Sequence, residues 1–130
     1  MRSLFLSLLL SAVFVLPAGA AVDTSKLQLP GDITLEQART VVEGALEFAK
    51  KQGVPMNITV VDAGGNLKAF CRMDGAFLGS IDISQKKAVT ARRFNMSSAE
   101  LGALAQPGKE LFGIEATNGG LAIFGGGELL

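Results

Sequence analysis

Residues 57–73, NITVVDAGGNLKAFCRM, decide the fold. Asn57 to Ala63 is rich in β-branched side chains, and Leu67 to Met73 alternates along its length. Leu67, Ala69, Cys71 and Met73 fall on one face, with Lys68, Phe70 and Arg72 on the other. Between the two runs sits Asp62-Ala63-Gly64-Gly65-Asn66, whose glycines can take the positive φ that a tight reversal needs. The stretch predicts a β-hairpin. A phosphate-binding loop would need a helix after these glycines, and a second strand follows instead.

Helices flank the hairpin on both sides in sequence. Upstream, Thr34-Leu35-Glu36-Gln37 fits a capping box, with Ile33 placed to pack on Ala38 as a staple. Ala38, Val41, Val42, Ala45, Leu46 and Ala49 then recur at three- and four-residue steps. Lys50 and Lys51 suit the negative end of the helix dipole, and Gly53 with Pro55 ends the helix. Downstream, a second helix is expected from Ser80 to about Asn95, with Ile81, Ser84, Ala88 and Ala91 on one face. Lys86, Lys87, Arg92 and Arg93 cluster in its second half. Ser97-Ser98-Ala99-Glu100 makes another capping box, and the third helix it opens is expected to end at Pro107-Gly108. Leu121-Ala122-Ile123-Phe124 reads as a strand, followed by a Gly125-Gly126-Gly127 turn and a stub to Leu130. A hairpin between helices defines an α+β domain whose antiparallel sheet is covered by helices.

The N-terminus reads as a separate object. Met1-Arg2 is followed by an apolar run from Leu4 to Leu16, then Pro17 and the small residues Ala18-Gly19-Ala20. That order is the signal-peptide pattern, with cleavage before Ala21. The run is shorter than the roughly 20 apolar residues of a membrane anchor. The expected organisation is a signal peptide at 1–20, a polar leader at 21–32 and one domain at 33–130, in a periplasmic or secreted protein that leaves the membrane after cleavage. Cys71 is the single cysteine, so no intramolecular disulfide is available despite that oxidising destination. Its alternation with Leu67 and Met73 marks it as a small buried hydrophobe.

Composition narrows the chemistry. The 130 residues carry 12 basic and 12 acidic side chains, which gives no basic patch for nucleic acid. Histidine, tyrosine and tryptophan are absent. No Ser-His-Asp triad, histidine base or usual Cys/His zinc site can form. Binding is favoured over catalysis, and no catalytic residue is assigned. Two pairs can serve a ligand. Arg72 and Asp74, two apart at the hairpin exit, can bind a polar ligand or pair and cap the next turn. Lys87 and Thr90, neighbours on one helix face, can hold a carboxylate or phosphate or stand as solvated surface.

Taken together, Val60-Val61-Asp62-Ala63-Gly64-Gly65-Asn66-Leu67, Arg72-Met73-Asp74-Gly75-Ala76, Lys87-Ala88-Val89-Thr90-Ala91 and Gly119-Gly120-Leu121-Ala122-Ile123 carry a resemblance. They are similar to the GlcG/HbpS-like heme-binding family, whose domain also forms the C-terminal part of PduO-type cobalamin proteins. Ala122 stands where that pattern usually has proline. The likeness runs from about Thr34 to the end. It implies a profilin-like antiparallel sheet, homo-oligomers and a small-molecule ligand, heme among the candidates. It also implies a further strand and a closing helix after the last glycine turn. The chain ends at Leu130, so the expectation is a truncated relative or a partial sequence. For heme, the available axial donors are Met56, Met73, Met96 or Cys71. An enzyme or accessory acting on a small organic acid or cobalamin, with Asp74, Lys87 and Thr90 at its site, is the alternative. A ligand-free oligomerising module is a third.

Overall fold

The computed structural model describes residues 31–130. The expected signal peptide at 1–20 and nearly all of the leader lie outside the described residues. Five elements follow in order: α1 (Leu35–Gln52), β1 (Asn57–Val61), β2 (Leu67–Arg72), α2 (Ser80–Phe94) and α3 (Ser98–Leu104), then a single 3-10 turn at Ile114–Ala116. The fold is α+β, as the sequence predicts.

β1 and β2 pair antiparallel, with Ile58 opposite Cys71 and Val60 opposite Ala69. Those four side chains share one face, and α1 covers it. Ala38, Val42 and Val60 form the core there, with Ile33, Val41, Leu46, Ile58, Ala69 and Cys71 packed around them. The α1 capping box is complete, and Gly53 ends the helix at φ 68. On the opposite face Thr59 meets α2, its hydroxyl 2.9 Å from that of Ser84. The hairpin is thus sandwiched between α1 and α2.

The turn closes through Asp62. Its Oδ1 accepts the Gly64 N–H at 2.9 Å and the Asn66 N–H at 2.8 Å, while Gly65 adopts φ 79. Asp62 thereby holds the reversal with its own side chain. Arg92 Nε donates to the Ala63 carbonyl at 2.7 Å, tying the end of α2 to this turn.

Four expectations are corrected. The register shifts at Val60/Val61, because Val61 faces Leu67 while Val60 faces Ala69, leaving Lys68 as an extra residue on β2. Such a bulge breaks the alternation. Leu67 is therefore 56% exposed rather than inward, and Lys68 Nζ reaches Asp32 at 3.3 Å. Asp32 itself, the last residue of the expected polar leader, is tied to the domain: it also accepts the Ala63 N–H at 2.8 Å. The hairpin-turn hydrogen bond holds its carboxyl below the usual range, with Lys68 adding to the effect. α3 stops at Leu104, short of Pro107.

The fourth correction concerns Leu121–Phe124, which form no strand. Neighbouring groups take its backbone instead. The Leu121 N–H bonds the Glu115 carbonyl, the Ala122 N–H bonds Thr90 Oγ1 at 3.2 Å, and Ser98 Oγ donates to the Phe124 carbonyl at 2.7 Å. Ser98 Oγ also accepts the Gly127 N–H at 2.9 Å. The segment is laid across α2 and α3 at backbone contact, so that a Cβ on Gly102 would overlap the Ile123 carbonyl.

Candidate functional site

Among the described residues β1 pairs with β2 on one edge and with no strand on the other. Two cavities of about 440 and 550 Å³ lie along it. Both are bounded by Ala45 of α1, Ile58 and Thr59 of β1, Ala88 of α2, and Gly126 and Glu128 of the C-terminal segment. Their shared walls make them one groove.

Both cavities carry polar groups: Asp32, Asp62 and Arg92 line one, Ser80, Ser84 and Lys87 the other, and Glu128 both. Ser80, Ser84 and Lys87 project from one face of α2, since they are spaced four and three residues apart. The hydroxyl pair Thr59–Ser84 faces the same space, and Ser84 Oγ is also 3.0 Å from the Ile81 carbonyl. Asn57 donates through Nδ2 to the Phe77 carbonyl at 3.0 Å. Its Oδ1 is buried without a partner among the described residues.

The structure sorts the basic cluster that the sequence leaves undivided. Lys86 pairs with Asp82 at 2.9 Å. Arg92 is spent on Ala63 and on Asn95 Oδ1, and Arg93 donates to the Asn118 carbonyl at 3.0 Å. Lys87 has no ion-pair or hydrogen-bond partner among the described residues. Its Nζ sits 4.2 Å from the centre of the Phe124 ring, a cation–π contact. Partial burial pushes its pKa below the usual 10.5. Glycine at 126 leaves the ammonium open, because a Cβ there would come within 3.2 Å of Nζ.

Of the four residues singled out from sequence, Lys87 alone lines the groove. Thr90 is fully buried, and its hydroxyl serves the Ala122 N–H. Arg72, opposite Asn57 at the end of β2, and Asp74 are exposed and line neither cavity. Lys87 and Thr90 are close in sequence but serve different surroundings. Thr59, Ser84 and Phe124 are not among the residues that the sequence marks out for a ligand. A signal existed for the first: Asn57 and Thr59 alternate with Ile58 and Val60, marking a second, polar face of β1. Nothing local marks Phe124, which reaches Lys87 through the folded-back tail.

A small α+β domain with a half-buried cation beside an apolar groove has the build of a ligand-binding domain. The chain belongs to the HbpS-like family: the family model described as haem degrading protein HbpS-like matches residues 33–130. It is 39% identical over 104 residues to a 15.0 kDa protein of the dhaT–dhaS intergenic region of Citrobacter freundii, covering 79% of this chain and 73% of that one. It is 34% identical over 113 residues to the corrinoid adenosyltransferase PduO of the same organism, covering 85% of this chain but only 34% of that enzyme. Among solved structures, the Klebsiella pneumoniae protein ORFY superposes with TM-score 0.72 at 35% identity, over 82% of this chain and 73% of ORFY. The PduOC:heme complex superposes with TM-score 0.69 at 33% identity, over 72% of this chain and 69% of PduOC. The fold read from the hairpin is the fold of this family.

Proposed function

We propose that the protein is an exported binding protein that takes heme, or a related carboxylate-bearing small molecule, into the groove along β1. Lys87 carries this reading: it is the member of the basic cluster that no protein oxygen answers among the described residues. A half-buried cation beside walls of Ala45, Ile58, Ile83 and Ala88 suits a ligand with an apolar body and an acidic rim. Heme has that chemistry in its macrocycle and propionates. The HbpS-like family and the heme complex of PduOC support it. The donor set is compatible, because Met56 lines the groove and a thioether is an established axial ligand. Lys87 would hold a propionate, and the apolar walls would exclude water from the ring. Bound heme supplies a redox-active iron. Export rests on the N-terminal pattern, and assembly into homo-oligomers completes the reading.

Titrating hemin into the protein and following the Soret band tests it. Saturable binding is expected, with Lys87→Ala about tenfold weaker, or roughly 1.4 kcal/mol. Thermal stability should change little, since Lys87 makes no ion pair among the described residues whose loss would tell. Unchanged affinity in Lys87→Ala would remove the groove from the account. N-terminal sequencing of the exported protein should begin at Ala21 or close to it.

The adenosyltransferase relative favours a second reading, an accessory that binds a corrinoid through the same groove. Displacement of hemin by cobalamin would select it.

A further inference from the structure

We propose that Asn118–Gly119 is a self-modifying site, where the Gly119 nitrogen attacks the Asn118 side-chain carbonyl carbon and Arg93 activates that nitrogen. The inference is independent of what the groove binds. Asparagine is a chemically labile residue, and its lability depends on how open the next main-chain nitrogen is. Asn57, Asn66, Asn95 and Asn118 are followed by Ile58, Leu67, Met96 and Gly119. Only at 118 does the attacking nitrogen have no Cβ beside it.

The structure presents the pair to water. Thr117 to Gly120 make a tight reversal in which Asn118 has φ 55 and Gly119 φ 74, the positive values of a type I′ turn. Both residues are exposed, and a Cβ built on Gly119 would meet nothing within 4 Å. The Gly119 N–H has no acceptor among the described residues. The turn is closed by the Gly120 N–H on the Thr117 carbonyl at 2.9 Å, and Asn118 Nδ2 donates to Thr117 Oγ1 at 2.9 Å. Swinging the Gly119 nitrogen onto Cγ breaks only those two exposed bonds. The other asparagines are tied to more distant groups: Asn57 to Phe77, Asn66 to Asp62 and Asn95 to Arg92.

Arg93 supplies what the dipeptide alone lacks. One of its guanidinium nitrogens donates to the Asn118 carbonyl at 3.0 Å. That carbonyl belongs to the same peptide group as the Gly119 nitrogen. When hydroxide removes the nitrogen's proton, the negative charge spreads onto the carbonyl oxygen, where a permanently charged guanidinium meets it. The hydrogen bond strengthens as the anion forms and so lowers the barrier. The nitrogen then bonds to Cγ, the Cγ–Nδ2 bond breaks, and ammonia leaves with a proton returned by water. Water opens the resulting cyclic imide at either carbonyl, giving aspartate or the β-linked isoaspartate. No oxidant or reductant is needed.

The test is incubation of the protein at mildly alkaline pH, sampled over time and mapped by mass spectrometry of tryptic peptides. Peptide 110–130 carries Asn118, 94–109 carries Asn95, and 52–68 carries Asn57 and Asn66, so every sample holds its own controls. The expected result is that 110–130 gains the mass difference between amide and acid first, with isoaspartate detected there by enzymatic methylation. Arg93→Gln, its fold verified by circular dichroism, should slow this conversion about fivefold, the effect of losing one exposed charged hydrogen bond. Arg93→Lys should fall between it and wild type. In urea, where the contact is gone, all three should convert alike. Conversion of 110–130 no faster than that of the other peptides would overturn the site. An unchanged or faster rate in folded Arg93→Gln, or a difference that persists in urea, would overturn the activation by Arg93.

Discussion

Thr90 shows how one side chain can be misassigned from sequence. Its place beside Lys87 on a polar-looking stretch of α2 invites a role in ligand binding, yet it is fully buried and accepts the Ala122 N–H at 3.2 Å. Thr90→Val keeps the shape and removes the acceptor, leaving that N–H unsatisfied at a cost of about 1–3 kcal/mol. The expected outcome is a lower denaturation midpoint for Thr90→Val, near-wild-type stability for Thr90→Ser, and hemin affinity unchanged in both. Lys87 behaves in the opposite way. Burial lowers its pKa from 10.5, so the folded protein releases the ammonium proton at a lower pH than the unfolded chain does. Over the interval between that lowered value and 10.5, the unfolded state holds more protons, and stability rises with pH. Carboxylate binding should fall through the same interval as the charge is lost. A pH series of hemin titrations checks this: affinity should decline with a midpoint below 10.5, and the decline should vanish in Lys87→Gln.

At the scale of elements, the legible parts were those specified by local physics. The capping boxes at Thr34 and Ser97, the apolar stripe of α1 and the Asp62–Asn66 turn depend on residues within a few positions of one another, and each is found as read. Elements set by distant partners were not legible. The bulge at Lys68 goes with a contact to Asp32, 36 positions away in sequence. Leu121–Phe124 has the composition of a strand, but a strand needs a neighbour, and Thr90 and Ser98 take its main-chain groups instead. Gly102 offers a sharp check on that packing. In an exposed helix, Gly→Ala stabilises by up to about 1 kcal/mol. Here the new methyl would meet the Ile123 carbonyl, which is main chain and cannot swing aside. Gly102→Ala should therefore destabilise, by about 1–3 kcal/mol as overpacking does. Thermal or denaturant melts read the sign directly.

For the whole molecule, the helix–hairpin–helix sandwich sets the groove along β1 with Ala45 of α1 and Ala88 of α2 among its walls, and Gly126 and Glu128 of the C-terminal segment form another wall. This explains why the site was only partly visible in sequence. Lys87 sits in a conspicuous basic cluster, and only the structure separates it from its neighbours: Lys86, Arg92 and Arg93 bond Asp82, Ala63 and Asn118, while Lys87 has no such partner among the described residues. Arg72 and Asp74 look equally eligible on paper, yet they stand exposed and line neither cavity. The central claim is that ligand enters the groove between α1 and α2 beside Lys87. Its most direct test is nuclear magnetic resonance of isotope-labelled protein titrated with gallium protoporphyrin, a diamagnetic stand-in for heme. The largest amide shifts are expected on Ile58, Thr59, Ala88 and Gly126. Shifts concentrated on Arg72 and Asp74, with those four unmoved, would contradict it.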